Sequence, residues 1–400
     1  SEIVEGYSST LWILILSIIH KLTNPEFSQF IRLSQLTTAI CSAVSSVLFF
    51  SVIRKIWVNK MIQSFLLSFF LFITTPFVSE TVNGMEMALA ACISLSILYF
   101  IFVKLDNSEE NLSKESILIL FVLSGLGSLV RWEFSFYLFV SSVFLWKYHR
   151  KFSYPIALGS ISLFLLNTLH RVFYFNSIVP NTILAKRWQP YKDEFVSIKS
   201  ILARGYSGLQ GGIEIFNSQG VFFLLVFALL FLLMTMQKSR GNISHSFRFL
   251  RDNPGMSYAL GYTCAVIFFC FIVGDSWGYT GRMQLSAIPI FIAILCFWSI
   301  YISGDINIDF SNVIPSYIAF AIFISTITSV PLPNHWDYGI HFNIKGRAPS
   351  SQFTITHYGV TPTAYKITGE SVEKLRRTLR LDIIKFLAPD AGGLGLSSPK

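Results

Sequence analysis

Stretches of about twenty consecutive apolar residues recur along this chain, and a soluble fold has no room for so many of them. A helix that crosses the hydrocarbon core of a bilayer needs about 20 apolar residues, roughly 17–25 in practice. By that measure spans fall near 29–53, 61–78, 84–104, 116–130, 134–147, 154–172, 220–236, 256–273, 283–303 and 310–330. The run at 10–22, TLWILILSIIHKL, is too short to cross straight and fits an interfacial or re-entrant helix. The pair 116–130 and 134–147 is also short and is divided by Arg131-Trp132-Glu133. Composition agrees, since 52% of the residues are hydrophobic, 39 are Phe and only 13% are charged, whereas a soluble domain carries roughly 25% charged residues. A soluble globular enzyme, a disordered chain, a coiled coil and a disulfide scaffold are excluded. The expected fold class is an all-α polytopic membrane protein, a bundle of about ten transmembrane helices.

The formal net charge is +9, from 31 Lys and Arg against 22 Asp and Glu. No basic run with interleaved aromatics is large enough for nucleic acid, so none is expected as a partner. The basic residues collect instead in three loops: Arg54, Lys55 and Lys60; Lys147, Arg150 and Lys151; Lys238, Arg240, Arg248 and Arg251. Cytoplasmic loops carry the excess of Lys and Arg, and placing these three inside puts 105–115 and 304–309 inside by alternation. The extracytoplasmic face then receives 1–9, 79–84, 131–133, 173–219, 274–282 and the tail from about 331. The expected location is a plasma (inner) membrane, crossed many times, with lipids as neighbours and the chemistry on the outer face. The five cysteines, Cys41, Cys92, Cys264, Cys270 and Cys296, lie in apolar runs without C-x-x-C spacing and read as small buried hydrophobes. The first residues, SEIVEGYSST, lack both Met and the basic start of a signal peptide. Together with the abrupt end on AGGLGLSSPK, this marks the chain as an expected piece of a longer protein.

The outer segments hold the unusual chemistry. Glu80, Asn83 and Glu86 sit at a helix junction, where Asn83 and Glu86 have the spacing of a capping box; the functional reading is carboxylates that bind sugar hydroxyls or take a proton from an acceptor hydroxyl. Arg131 and Glu133 flank Trp132 between two short spans. A charge at membrane depth is costly unless paired, so one reading is a mutual or interhelical salt bridge, and the other is a phosphate held by the guanidinium. In FYFNSIVPNTILAKRWQP, Asn181 follows Pro180 as a turn and cap, with Lys186 and Arg187 one to two turns on. This is either an interface anchor or a cradle for a lipid-linked phosphate. In GDSWGYTGR, Asp275 and Arg282 bracket a Gly-rich aromatic loop, either as a simple ion pair or beside a sugar stacked on Trp277 or Tyr279. No cofactor is expected; a divalent cation at Asp275 is left open, because one carboxylate alone does not make a hard-cation site. His335, His341 and His357 lack zinc-ligand spacing, and 370–386 reads as an amphipathic helix in the tail.

Taken in order, these segments resemble a family. VEGYSSTLW at 4–12 resembles the VEGYTSPLW run of the arabinofuranosyltransferase-like GT-C membrane glycosyltransferases. SETVNGMEMALA at 79–90 is similar to the SGMETAL junction of that family, and GLGSLVRWEFSF at 125–136 to GLAALTRPEG. NSIVPNTILAK at 176–186 is similar to PLPNTFYAK, GDSWGYTGRMQLSAIPI at 274–290 to GGDWMPGFRFLLPVLP, and FLAPDAGGLGL at 386–396 to the start of the tail motif. The resemblance implies a GT-C-like bundle over 1–330 and an incomplete extracytoplasmic domain over 331–400. It implies transfer of a sugar from a polyprenyl-phosphate donor to a cell-envelope glycan or lipid acceptor, with inversion on a carboxylate base. It also implies a supporting shell: Glu5 and Tyr7 beside the base, Glu80 and Glu86 near the sugar, and Arg131, Lys186 and Arg282 on the phosphate. Trp132 and Phe134 stand where the family has Pro and Gly, and the acidic pair of the family lies upstream of Ser1, so the fragment is not expected to act alone. The alternatives are a transporter or flippase for a lipid-linked sugar, and an inactive GT-C homologue.

Overall fold

The computed structural model describes residues 9–74, 77–78, 81, 84, 86–106, 112–176, 178, 252–273 and 285–306. Every element among them is helical: α1 (Thr10–Thr23), α2 (Phe27–Ile56), α3 (Met61–Phe72), α4 (Met87–Tyr99), α5 (Lys114–Val130), α6 (Trp132–Trp146), α7 (Arg150–Phe175), α8 (Pro254–Val273) and α9 (Ile288–Ile306). A π turn, Phe100–Lys104, continues α4. Among the described residues three helices are long and apolar enough to cross a membrane: Gln29–Ile56, Met87–Lys104 and Arg150–Phe175. Their outward faces are apolar too, with Leu36, Ile40, Val44 and Val47 on α2 and Leu158, Leu165, Leu166 and Leu169 on α7 all exposed. In water such stripes would be an aggregation liability; beside lipid tails they cost nothing. The expected spans 220–236 and 310–330, the loop 238–251 and the tail from 331 lie outside the described residues.

One of the hydropathy readings holds and one is revised. The 10–22 run is indeed a short helix, closed by Asn24 in the left-handed conformation. The 61–78 run is not one helix. It stops at Phe72, with Ile73 turning out of the helix. The sequence accounts for the stop: in a continuous helix a proline at position 76 would lack the N–H for the Phe72 carbonyl and would crowd it.

Between α3 and α4 the described residues Phe77, Val78 and Thr81 are again helical, and the hydroxyl and carbonyl groups of Thr81 and Gly84 meet partners on a neighbouring helix. α2 supplies the partners. Ser34, Thr38, Ser42 and Ser46 recur every fourth residue and so share one face of the helix. Ser46 pairs with Ser68 at 3.0 Å, Ser42 with Thr81 at 2.8 Å, Thr38 donates to the Thr81 carbonyl at 2.8 Å, and Ser34 to that of Gly84 at 2.8 Å. This hydroxyl ladder holds the connection between α3 and α4 against α2, as side-chain hydroxyls do between packed membrane helices. Gly84 has φ +65° and an added Cβ would lie 2.5 Å from Ser34 Oγ. Gly84→Ala is expected to destabilise the protein by ~1–3 kcal/mol. The companion Ser34→Ala removes the clash but not the backbone strain, so thermal unfolding should show partial rescue in the double variant. Full rescue would mean that φ is unimportant there.

α5 and α7 run parallel in close contact. Ser124 Oγ donates to the Pro155 carbonyl at 3.4 Å and Ser128 Oγ to that of Ser160 at 2.9 Å, so both numbers rise together. Gly159 permits the approach, since a Cβ there would sit 2.2 Å from the Phe121 carbonyl oxygen. Small residues serve membrane helices in this way, because backbones must come close for dispersion to hold them. α6 returns antiparallel and packs on α8, with Gly261 against Ser141.

At the basic end Lys55 donates to the Phe102 carbonyl and to Asp106, tying α2 to the π turn. The hydrogen bond and the charge of Lys55 hold the exposed Asp106 carboxyl below its ordinary pKa. A depressed carboxyl contributes stability that is present above its unfolded pKa, about 3.9, and lost as pH falls through the folded value. Acidification below about pH 4 should thus lower the unfolding midpoint of the native protein more than that of Asp106→Asn. Equal slopes would show that the pair is spent on solvent.

Candidate functional site

Three ionisable side chains meet at the end of the bundle opposite Lys55. Helix α4 begins at Met87, so Glu86 is the cap residue itself, in helical conformation and without a side-chain capping bond. Its carboxylate turns instead toward the α5–α6 junction. There Arg131 breaks the helix with extended backbone (φ −153°, ψ 153°) and serves as the N-cap position of α6. Arg131 Nη1 donates to Glu86 Oε1 at 2.7 Å, and Nε donates to Glu133 Oε1. All three are buried, at 5%, 5% and 3% exposure. The salt-bridge reading of Arg131 and Glu133 is thus realised both within the junction and across to α4. The capping-box role of Glu86 is not its position here, since the helix starts one residue later.

Two carboxylates and one guanidinium leave a formal charge of −1. In this arrangement Arg131 is a counter-ion to carboxylates, and a phosphate would meet net negative charge. The cluster is better suited to accept hydrogen bonds from hydroxyl groups than to bind an anion.

Register sets its depth. Trp132 touches Phe164 ring to ring at 6.0 Å, and α7 continues for eleven further residues to Phe175, which at 1.5 Å per residue is ~16 Å. Likewise α2 begins seven residues before Ser34, the partner of Gly84, or ~10 Å. The cluster is therefore recessed below the ends of α2 and α7. α1 is tied to that rim, because Thr10 Oγ1 donates to Asn167 Oδ1 at 3.0 Å.

Below the cluster lies an aromatic floor. Phe134, Tyr137 and Tyr262 are fully buried, with ring centroids 5.3 to 6.0 Å apart. Tyr262 Oη donates to Ser286 Oγ at 3.0 Å, and Tyr258 Oη to the Ser94 carbonyl at 3.3 Å. Ser94 is eight residues past Glu86 on α4, ~12 Å deeper. The approach to α9 therefore starts inside the bundle rather than at its surface.

Of the sequence candidates, Glu86, Arg131 and Glu133 come together. Glu5, Tyr7, Glu80, Asn83, Asn181, Lys186, Asp275 and Arg282 lie outside the described residues. Sequence reasoning missed Arg171, which is 1% exposed on α7 one turn beyond Asn167. Its signal was plain, as a buried arginine within an apolar helix is a functional candidate by default. Tyr258 and Tyr262, four apart in an apolar run, gave the weaker signal of a shared helix face. Among the described residues no group of three or more His, Cys, Asp or Glu is placed to hold a metal ion. No protein-family model matches the chain, and neither a curated protein nor a solved structure matches it.

Proposed function

We propose that this chain is an integral membrane glycosyltransferase of the GT-C type, acting on a polyprenyl-phosphate sugar at the extracytoplasmic face. One observation carries the reading. Two segments chosen for their likeness to that family, around Glu86 and around Arg131-Trp132-Glu133, are 45 residues apart and meet through one hydrogen bond. They meet in a recess at the end away from the loops with Arg54, Lys55, Lys147, Arg150 and Lys151. Glu86 and Glu133 then bind the sugar or acceptor hydroxyls, and the donor phosphate falls to cations outside the cluster, with Lys186 and Arg282 as candidates.

The transporter reading has its own support in the helix that breaks after Phe72 and in the inward start of α9, since broken helices line many transport sites. A single assay separates the readings. The complete gene product, purified in detergent, is given labelled polyprenyl-phosphate sugars with and without cell-envelope glycan. Acceptor-dependent release of polyprenyl phosphate supports the transferase. In vesicles, movement of the intact labelled lipid between leaflets without cleavage would replace it by the flippase, and neither event would leave the inactive homologue.

A further inference from the structure

The turn between α6 and α7 carries a second constellation, ~22 Å from the acid–base cluster by the length of α6. Trp146 closes α6, and its ring meets Tyr154 of α7 edge-on at 4.8 Å. The Arg150 guanidinium lies over Trp146 at 5.8 Å, and Lys147 Nζ over Tyr148 at 5.0 Å. Trp146, Tyr148 and Tyr154 are 44 to 47% exposed, and Lys147, Arg150 and Lys151 are exposed as well. Lys55, at the same end, spends its charge on Asp106 and a carbonyl. Among the described residues none of Lys147, Arg150 and Lys151 has a carboxylate partner.

We infer that this turn is a headgroup site for an anionic phospholipid of the leaflet at the basic end. The chemistry is complementary in three ways. Half-exposed Trp and Tyr settle at headgroup depth, where one edge is apolar and the other wet. The rings hold Arg150 and Lys147 in place through cation–π contact, so less freedom is lost when they bind. Three unspent positive charges within five residues match a phosphodiester that bears one negative charge, and guanidinium fits it through paired hydrogen bonds. A zwitterionic headgroup brings its own ammonium and gains much less. This inference uses the membrane orientation but not the transferase reading, and stands if the latter fails.

The test is fluorescence quenching of Trp146 in vesicles of the complete protein, taken as the difference between wild type and Trp146→Phe. Shallowly brominated phosphatidylglycerol is compared with equally brominated phosphatidylcholine at the same mole fraction. The apparent affinity from phosphatidylglycerol titration should exceed that for phosphatidylcholine at least about fivefold, the factor that one basic residue near the surface provides. The variant Lys147→Gln/Arg150→Gln/Lys151→Gln should lose that preference. The control Arg54→Gln/Lys104→Gln/Lys114→Gln, with three exposed cations removed at the same end, should keep it. Equal quenching by the two lipids in wild type overturns the site even if the triple variant fails to fold. Equal loss in both triple variants also overturns it, because a diffuse surface potential would then account for the preference.

Discussion

Arg131→Met should unfold at a far lower temperature than the native protein, by the equivalent of ~3–5 kcal/mol. Met fills most of the arginine volume, so packing is nearly kept. What is lost is the positive charge between Glu86 and Glu133, both buried. Two buried carboxylates that have lost their shared cation must be protonated or drag water inward, and either is expensive. The effect belongs to the charge and not to the side chain as such. Glu86→Gln/Arg131→Met/Glu133→Gln should therefore recover most of the stability, because removing a whole buried ion group is often close to neutral. A single Arg131→Met variant as stable as wild type would show that the cluster is open to water, contrary to its burial.

Gly159→Leu is the second large effect. Its Cβ would lie 2.2 Å from both the Phe121 carbonyl oxygen and Ser124 Oγ. One of these is backbone of the neighbouring helix and cannot swing away. α5 and α7 must separate, which breaks the bonds of Ser124 to Pro155 and of Ser128 to Ser160. The expected cost is ~3 kcal/mol, the upper part of the range for overpacking. Because α5 ends directly on Arg131, the shift should also disturb the acid–base cluster, and Gly159→Leu should lose activity along with stability. Gly159→Ala has the same clash at Cβ and should follow it in weaker form. Unchanged unfolding of both variants would mean that the two helices do not pack in this register.

These effects show what the sequence could and could not reveal. Apolar length alone located α2, α4 and α7, because a bilayer leaves few other uses for such runs. The same measure overextended α3, since hydropathy does not register the missing N–H of Pro76. Arg131 and Glu133 were readable as a pair because they are two residues apart around a helix break. Glu86 was singled out at its own junction, but its bond to Arg131 depends on how α4 packs between α2 and α5, which a single sequence does not encode locally. Ser34, Thr38, Ser42 and Ser46 were visible as letters. Their purpose needed the knowledge that α3 and the connection after it lie against them. Arg171 was overlooked, and its near-complete enclosure depends on how α7 packs.

The most direct measurement concerns Glu86→Gln in the complete protein. Glu133 still neutralises Arg131 in this variant, so the fold should hold, and thermal unfolding checks that it does. With a donor that the native protein uses, kcat/KM for sugar transfer should fall ~10- to 100-fold, the loss of a charged hydrogen bond to a substrate hydroxyl. Native-level transfer by a well-folded Glu86→Gln protein would contradict a substrate role for the cluster and leave Glu86, Arg131 and Glu133 as a purely structural ion group.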